Sequence, residues 1–448
     1  MIARLQFSLI ILMLLGAPLI AGGKSINSLL FLEVTGISLL AITYWQGNIL
    51  PKLPKLAWIT LSLGLAIPLI YLIPIPVSLW QILPGRDHYT EALVNYHTLT
   101  NSYPWLSLSM VPEKTMHAAL ALLPPLAIFT AALVQPIDSQ IKITYVLIAV
   151  ACLEALLGMA QYTTESATFF PFGAHNDQAA SGDAVGTYIN RDHFVVFLYL
   201  TLPLVLSQFF FQIGSKAFIH RHRQDGFRTR AIIGIGLITL AILFLIIGAT
   251  LSRSRAGIFL IVLAILLSTL IFARHIGGKR GISLASTLAI VSIVVASSIG
   301  IIPVLNRFIA LDPFEDGRWW YFQVALEGIK QFFPLGTGPS TFQELYRTIQ
   351  PYDQLQFLNH VHNDYLELVF ETGLIGIVFV ALFFIVYIRG WINLRKFTWD
   401  EARFLKTAAG ISVTLLLLHA LVDFNFHTPA NALMFSFLLA IFLKRKEP

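Results

Sequence analysis

Long apolar stretches separated by short charged or turn-rich breaks recur along the whole chain. Each is roughly 20 residues long, the length of an α-helix that crosses a hydrocarbon core of about 30 Å. We therefore predict an all-α, polytopic integral membrane protein with one transmembrane domain, residues 1–448, and about 12 transmembrane helices. The predicted spans are 6–22, 28–46, 57–80, 115–135, 142–162, 193–213, 231–251, 256–273, 282–304, 366–389, 405–422 and 429–443.

The composition excludes a soluble enzyme. Hydrophobic residues make up 56% of the chain and charged residues 12%, whereas globular domains carry about 25% charged residues. The single cysteine, Cys152, excludes an intramolecular disulfide and a site built from several cysteines.

The basic residues predict the orientation. With an even number of spans both termini lie on one side, and 20 of the 30 Lys and Arg residues then fall in the segments on that side. The positive-inside rule makes that side cytoplasmic. The net charge of +6 is explained by this topology, so we expect no nucleic-acid partner.

The basic residues on the outward side indicate a function. Seven of these ten residues are arginines, whose rigid donor fork suits bidentate binding of phosphate. They predict an outward anion site. The ten residues are Lys24, Arg86, Lys114, Arg191, Arg253, Arg255, Arg307, Arg318, Lys330 and Arg347.

Two outward segments are long. Residues 81–114 have the character of a lid or an amphipathic stretch, and residues 305–365, between the ninth and tenth spans, are rich in aromatic and charged residues. Long loops on a tightly connected protein are usually functional. We therefore expect the catalytic segment within 305–365, as a long helical extracytoplasmic loop.

The second loop ends in a spaced motif. His362 and Asn363 are followed by nine residues, Gly373, two residues and Gly376. In this motif the chain resembles the O-antigen ligase and O-antigen polymerase superfamily of bacterial membrane proteins. Three other stretches resemble the same family and, with the twelve-span layout, extend the resemblance over most of the chain: Gly186 to His193, Leu251 to Gly257, and Asp423 to Pro429.

The resemblance implies a GT-C-like membrane glycosyltransferase. Such enzymes transfer a glycan from undecaprenyl diphosphate to an acceptor outside the cytoplasmic membrane, without a metal or other cofactor. Ser254-Arg255 and Gly317-Arg318 match the family's arginine positions, so the resemblance assigns Arg255 and Arg318 to the diphosphate. We add Arg191 for the same task and Arg253 in support.

His362 is the candidate general base or acceptor-orienting group, because histidine titrates near neutral pH. With Arg318 it forms the predicted catalytic pair. Asn363 is expected to cap the following helix, and Asp364, Glu367 and Glu371 fall on one face of that helix. These carboxylates either position the arginines or His362, or include the true base. The predicted supporting residues are Asn190, His193, His360, Asn363, Asp364, Tyr365, Glu367, Gly373 and Gly376.

Each assignment has a structural alternative. His362 can be a capping residue, Arg191 can reach lipid headgroups, Arg253 can simply end a helix, and Arg318 can anchor an aromatic belt. Gly336 and Gly338 are expected in turns rather than in a phosphate cradle.

For His419, Asp423 and His427, packing against the tenth span is the favoured reading. A metal site of His360, His362 and Asp364 is disfavoured, because the family resemblance implies none.

The leading hypothesis is an O-antigen ligase of lipopolysaccharide biosynthesis in the bacterial cytoplasmic (inner) membrane, with the active site facing the periplasm. Its partners would be the undecaprenyl-diphosphate-linked donor, lipid A core oligosaccharide or a glycan as acceptor, and membrane lipids. The alternatives are an O-antigen or exopolysaccharide polymerase, a protein O-oligosaccharyltransferase and a lipid-linked glycan transporter. A transporter should place ionisable residues near the bilayer midplane, whereas these cluster at the outward boundary. The sequence predicts no oligomeric state.

Overall fold

The computed structural model describes residues 2–46, 53–164, 178, 182–214, 225–276, 317–351 and 357–445. These residues are almost entirely α-helical. The helices are α1 (Ile2–Leu19), α2 (Ile26–Trp45), α3 (Lys55–Tyr71), α4 (Val77–Trp80), α5 (Thr90–Thr100), α6 (Pro112–Ala121), α7 (Leu123–Val134), α8 (Ile137–Thr164), α9 (Arg191–Gly214), α10 (Asp225–Leu251), α11 (Arg255–Ile276), α12 (Gly317–Phe332), α13 (Phe342–Ile349), α14 (Asp364–Leu394), α15 (Glu401–His419) and α16 (Pro429–Leu443). Short 3₁₀ turns cover Ala21–Gly23, Asp87–Tyr89 and Asn425–His427.

Within the described ranges, nine helical segments are long and apolar enough to cross a membrane, α6 and α7 together forming one of them. The shorter apolar helices α3 and α16 coincide with two further predicted spans. The all-α, multi-pass membrane architecture is thereby confirmed. The predicted span 282–304 lies outside the described residues, so the total of twelve stays a prediction.

The predicted span 57–80 extends too far. Helix α3 ends at Tyr71, and Pro74–Pro76 form a short strand, β1, that pairs antiparallel with β2 (Trp105–Ser107), with Ile75 opposite Leu106. Two prolines within three residues favour extended backbone, because the residue before a proline is pushed out of the α region. The hairpin ties the predicted loop 81–114 back to the end of α3.

Helix α9 occupies the centre of the bundle. Every residue from His193 to Phe210 is buried, and the helix packs against α8, α10, α11, α15 and α16. A helix that is apolar all round is expected in the interior of a membrane bundle. Its first turn therefore lies deep within one end of the bundle.

The loop 81–114 docks onto the second long loop. The Met110 amide donates to the carbonyl of Thr337 at 2.8 Å, and the Thr115 hydroxyl donates to the carbonyl of Pro339 at 2.9 Å. Arg86 is 1% exposed and donates to the carbonyl of Leu108. The described parts of the two long loops thus form one layer, as segments of helix, short strand and turn.

Candidate active site

Three imidazole rings, from two separate parts of the chain, surround the ring of Phe424 and form a histidine cluster. His193 meets Phe424 edge-on at 4.8 Å between ring centroids, His360 stacks on it at 4.4 Å, and His362 meets it edge-on at 4.8 Å. The ammonium of Lys24 lies 5.3 Å from the same ring. The starts of α9, α14 and α16 and the turn between α1 and α2 therefore meet at one end of the bundle.

His362 faces a buried carboxylate. Its ring nitrogen Nδ1 lies 3.4 Å from Oδ1 of Asp423, which is 1% exposed, whereas the His362 side chain is 29% exposed. Burial raises the pKa of the Asp423 carboxyl, but the interaction with His362 and the charges of neighbouring cationic groups outweigh burial and hold that pKa below its ordinary range. Asp423 is therefore an ionised carboxylate at neutral pH.

A second histidine contacts the other oxygen of Asp423. Nε2 of His419 lies 3.7 Å from Oδ2, and Nδ1 of the same ring lies 3.0 Å from the hydroxyl of Tyr199. His419 is 1% exposed. The carboxylate is therefore held between a buried imidazole and a solvent-accessible one, which leaves His362 as the ring that a substrate can reach.

His362 also has an unusual backbone conformation. Its φ is +59°, in the left-handed region that residues other than glycine rarely adopt. Such strain costs about 1–3 kcal/mol and concentrates at functional sites. The strain turns the ring toward Asp423 and Phe424, immediately before the first turn of α14.

Arg318 lies in the first turn of α12 and is partly buried. Three residues later, the Tyr321 ring lies 5.7 Å from the His362 ring, and residues three apart share a helix face. The Arg318 charge also acts on both Asp423 and His419. The structure therefore brings the two predicted catalytic residues into one neighbourhood.

Arg191 and Arg253 form a separate pair around Asp183. Arg191 makes an ion pair with Oδ2 of this carboxylate, and Arg253 lies 3.5 Å from Oδ1 with its guanidinium over the Tyr162 ring. Arg191 begins α9 two residues before His193, so the pair adjoins the histidine cluster.

Arg253 is in the left-handed conformation between α10 and α11, with φ at +54°. Arg255 is the first residue of α11 and is partly buried. Arg307, a further predicted outward residue, lies outside the described residues.

His360 belongs to a third group, with Glu367 and His427. Nδ1 of His360 lies 2.8 Å from Oε1 of Glu367, Nε2 of His427 lies 3.3 Å from the same oxygen, and the Val361 amide donates to Oε2 at 2.8 Å. The candidate ligand atoms of these three residues all lie within 4.8 Å of one another. By residue type they could hold a divalent ion, but the carboxylate is already hydrogen-bonded within the protein.

His362 is not part of this group, because its Nδ1 points to Asp423. Nε2 of His427 lies 3.6 Å from Oδ1 of Asp364.

Asparagine side chains position both histidine segments. The Asn363 side-chain oxygen accepts from the amides of Tyr365 and Leu366 at 3.0 Å, which is the expected N-cap of α14. The Asn190 side-chain oxygen accepts from the Asp192 amide at the start of α9. The free amides at the start of α14 are thus capped by the protein.

The glycine spacing of the motif serves close packing. Gly373 adopts φ +53° and ψ −132° at a kink in α14, and a Cβ there would collide with the carbonyl oxygen of Pro334. A Cβ at Gly376 would collide with the Thr372 hydroxyl. Gly336 and Gly338 have positive φ in the turn that packs against this kink. They are turn residues, as expected.

The three carboxylates of α14 have separate structural tasks. Glu371 accepts from the amides of Ser340 and Phe342, so it holds the same turn. Glu367 holds His360, and Asp364 accepts from the Phe426 amide. The carboxylate beside His362 comes from the loop after α15, as Asp423.

Sequence reasoning missed four contributors to the cluster: Lys24, Tyr321, Asp423 and Phe424. The sequence shows Asp423-Phe424 within a family-like stretch, yet for Asp423 it favours packing against the tenth span. Tyr321 carried no signal beyond its place in an aromatic loop, and Lys24 was recognised only as an outward basic residue. Their common role appears only when the helix ends are assembled.

Comparison with protein families gives one match. Residues 240–381 match the family model described as O-antigen ligase, a segment that includes Arg253, Arg255, Arg318, His362 and both motif glycines. No curated protein matches the chain. The family resemblance inferred from the motifs is confirmed over this segment: residues 240–381 match an O-antigen ligase domain, whose family consists of glycan-transferring enzymes.

Proposed function

We propose that the protein is an O-antigen ligase, which transfers a glycan from undecaprenyl diphosphate to lipid A core oligosaccharide. The observation that carries this proposal is the ionised Asp423 carboxylate 3.4 Å from the accessible His362 ring, with the Arg318 charge acting on the same carboxylate. A base and a cation that act at one site suit glycosyl transfer from a diphosphate.

His362 acts as the general base. Asp423 engages Nδ1, so Nε2 is left for the acceptor hydroxyl, and the carboxylate stabilises the imidazolium that forms. The acceptor oxygen forms a bond to the anomeric carbon while the bond from that carbon to the diphosphate oxygen breaks. The hydroxyl proton moves to Nε2, and the electron pair of the broken bond leaves with the diphosphate.

The arginines bind and stabilise the leaving group. Arg318, on the first turn of α12, is assigned to the developing charge at the scissile oxygen, and Arg191, Arg253 and Arg255 to the rest of the diphosphate. Asp183 holds Arg191 and Arg253 in place before the donor binds. Electrostatic stabilisation by these fixed cations is sufficient for the proposed step, which we therefore assign no metal ion.

The membrane setting follows the distribution of charge. We propose a multi-pass protein of the inner membrane with both termini cytoplasmic, so that the segments 81–114 and 305–365 both face the periplasm. Both the donor diphosphate and lipid A core then reach the histidine cluster at the outer boundary of the bilayer.

The test is transfer by the purified full-length protein in detergent, with undecaprenyl-diphosphate glycan and with or without lipid A core. We expect glycan on the core with the wild type and none with His362→Ala. The control is His117→Ala, since His117 is exposed on α6. Lengthened lipid-linked chains in place of core product would identify a polymerase, and full activity of His362→Ala would refute the assignment of the base.

A further inference from the structure

The short turn between α1 and α2 directs a lysine into the histidine cluster. Gly22 and Gly23 have φ values of +63° and +85°, and a Cβ on Gly23 would lie 2.8 Å from the Cβ of Pro429 at the start of α16. A Cβ on Gly22 would lie 2.9 Å from the Tyr188 ring. The turn therefore packs tightly against two other segments, and Lys24 is held at a defined place.

The Lys24 ammonium is only partly satisfied by the protein. Its Nζ lies 3.4 Å from Nδ1 of His193, which also lies 2.9 Å from the Thr428 hydroxyl. An ammonium has three N–H donors. Among the residues that the structure describes, His193 is its one hydrogen-bond partner and no carboxylate lies within ion-pair distance.

This environment destabilises the charged form of Lys24 relative to an amine in water. Burial lowers the pKa of Lys24 from 10.5 to about 8, although the Asp423 charge opposes the shift. Buried cations normally have a carboxylate partner, yet Asp423 is already shared by His362 and His419. By contrast, Arg191 and Arg253 share Asp183. The position of Lys24 is therefore suited to an anion that is supplied from outside the chain.

We propose that Lys24 is a further binding residue for the donor, and that its ammonium contacts the diphosphate of the lipid-linked glycan beside Phe424. This assignment rests on the proposed function for the identity of the donor. It extends the proposed diphosphate site from the arginines to the turn between α1 and α2. It also explains why a lysine lies among imidazoles rather than at the lipid-exposed rim.

Binding of inorganic pyrophosphate to the purified protein in a neutral detergent tests the site directly. By isothermal titration calorimetry we expect Lys24→Met to raise the Kd about tenfold, equivalent to about 1.4 kcal/mol. Lys24→Arg should stay within about threefold of the wild type. The control Lys330→Met should bind as the wild type does, because Lys330 is exposed on α12 and paired with Glu327. Equal Kd values for the wild type and Lys24→Met, or no binding by the wild type at millimolar pyrophosphate, would overturn the proposal.

Two further measurements test whether a weaker binding of pyrophosphate by Lys24→Met arises from misfolding or from the loss of a lipid-binding residue. Elution volume and thermal unfolding check each variant, and Lys24→Gln replaces Lys24→Met if the latter does not fold. Phosphatidylglycerol is then added at a concentration equal to that of pyrophosphate. Displacement of pyrophosphate would assign Lys24 to lipid headgroups and refute the proposal, whereas unchanged binding supports the diphosphate.

Kinetics connect the site to transfer. We expect Lys24→Met to raise the KM for the lipid-linked donor about tenfold and to change kcat by less than about threefold, because the lysine contacts the donor and not the acceptor. If Lys24→Met has the donor KM and the pyrophosphate Kd of the wild type, Lys24 is not a donor-binding residue, even though transfer occurs. If the wild type transfers no glycan while pyrophosphate binding still depends on Lys24, the proposed function fails and the anion site stands.

Discussion

Replacement of Asp423 by asparagine removes the charge beside His362 and little else. The amide has nearly the size of the carboxylate, and its oxygen can still accept from the Phe424 amide, which donates to Asp423 Oδ1 at 2.9 Å. What is lost is the anion that, in the proposed mechanism, stabilises the His362 imidazolium during transfer. The expected result is a large fall in kcat with little change in fold.

The separation of 3.4 Å between Nδ1 and Oδ1 sets the size of this effect. At that distance Coulomb's law gives about 5 kcal/mol for an effective dielectric constant of 20 and about 1 kcal/mol in bulk water. Asp423 is 1% exposed and His362 29% exposed, so the pair lies between these limits. We take about 3 kcal/mol, which corresponds to a loss of roughly 150-fold in kcat.

The assay is the initial rate of glycan transfer at saturating donor and acceptor, with thermal unfolding as a check on fold. Glu327→Gln is the matched control, because it neutralises an exposed carboxylate on α12. We expect the control to keep wild-type activity. If Asp423→Asn retains more than half of the wild-type kcat, the carboxylate does not stabilise the imidazolium, and the proposed base mechanism is refuted.

Three other perturbations test neighbouring parts of the site. Arg318→Lys keeps the charge but loses the guanidinium fork, so we expect at least a tenfold loss of kcat/KM in the same assay; wild-type activity would mean that charge alone suffices. EDTA should leave the transfer rate unchanged, since the proposed step uses no metal; inactivation that zinc reverses, together with loss of activity in His427→Ala, would show an essential ion at the His360 group. Gly373→Ala should lower the free energy of unfolding by about 1–3 kcal/mol or more, measured by chemical denaturation in detergent, because Gly373 combines positive φ with contact to Pro334; an unchanged stability would contradict the assigned kink.

The membrane fold could be predicted because its rule is local. An apolar run of sufficient length specifies a spanning helix wherever it lies, and the described helices begin and end close to the predicted ones. The predicted end of the third span is wrong for an equally local reason, since Pro74 and Pro76 end the helical pattern before the hydrophobic run ends. Hydrophobicity alone does not distinguish a helix from the short hairpin that follows it.

Part of the site could also be predicted from the sequence, because the residues of the motif lie close together along the chain. His362, Asn363 and the two glycines lie within fifteen residues, and their spacing places the imidazole before a capped helix. The sequence also predicts that the acidic residues share one face of that helix, but it does not predict which segments they contact. Glu371 faces the turn at Ser340, and Glu367 faces His360. Helix periodicity gives the face of a residue and not the segment that packs against it.

The pairing of His362 with Asp423 depends on how two helix ends meet. The side-chain amide of Asn363 donates to the carbonyl of Leu421, the Asp364 amide donates to Ala420, and the Tyr365 hydroxyl donates to Leu417, each at 2.9 Å. These three bonds fix the end of α15 against the start of α14. The residues that follow α15 must then run past His362, which places Asp423 beside it. Tyr365 and Asn363, at the start of α14, therefore position the proposed catalytic carboxylate of Asp423, a role that no spacing within the motif reveals.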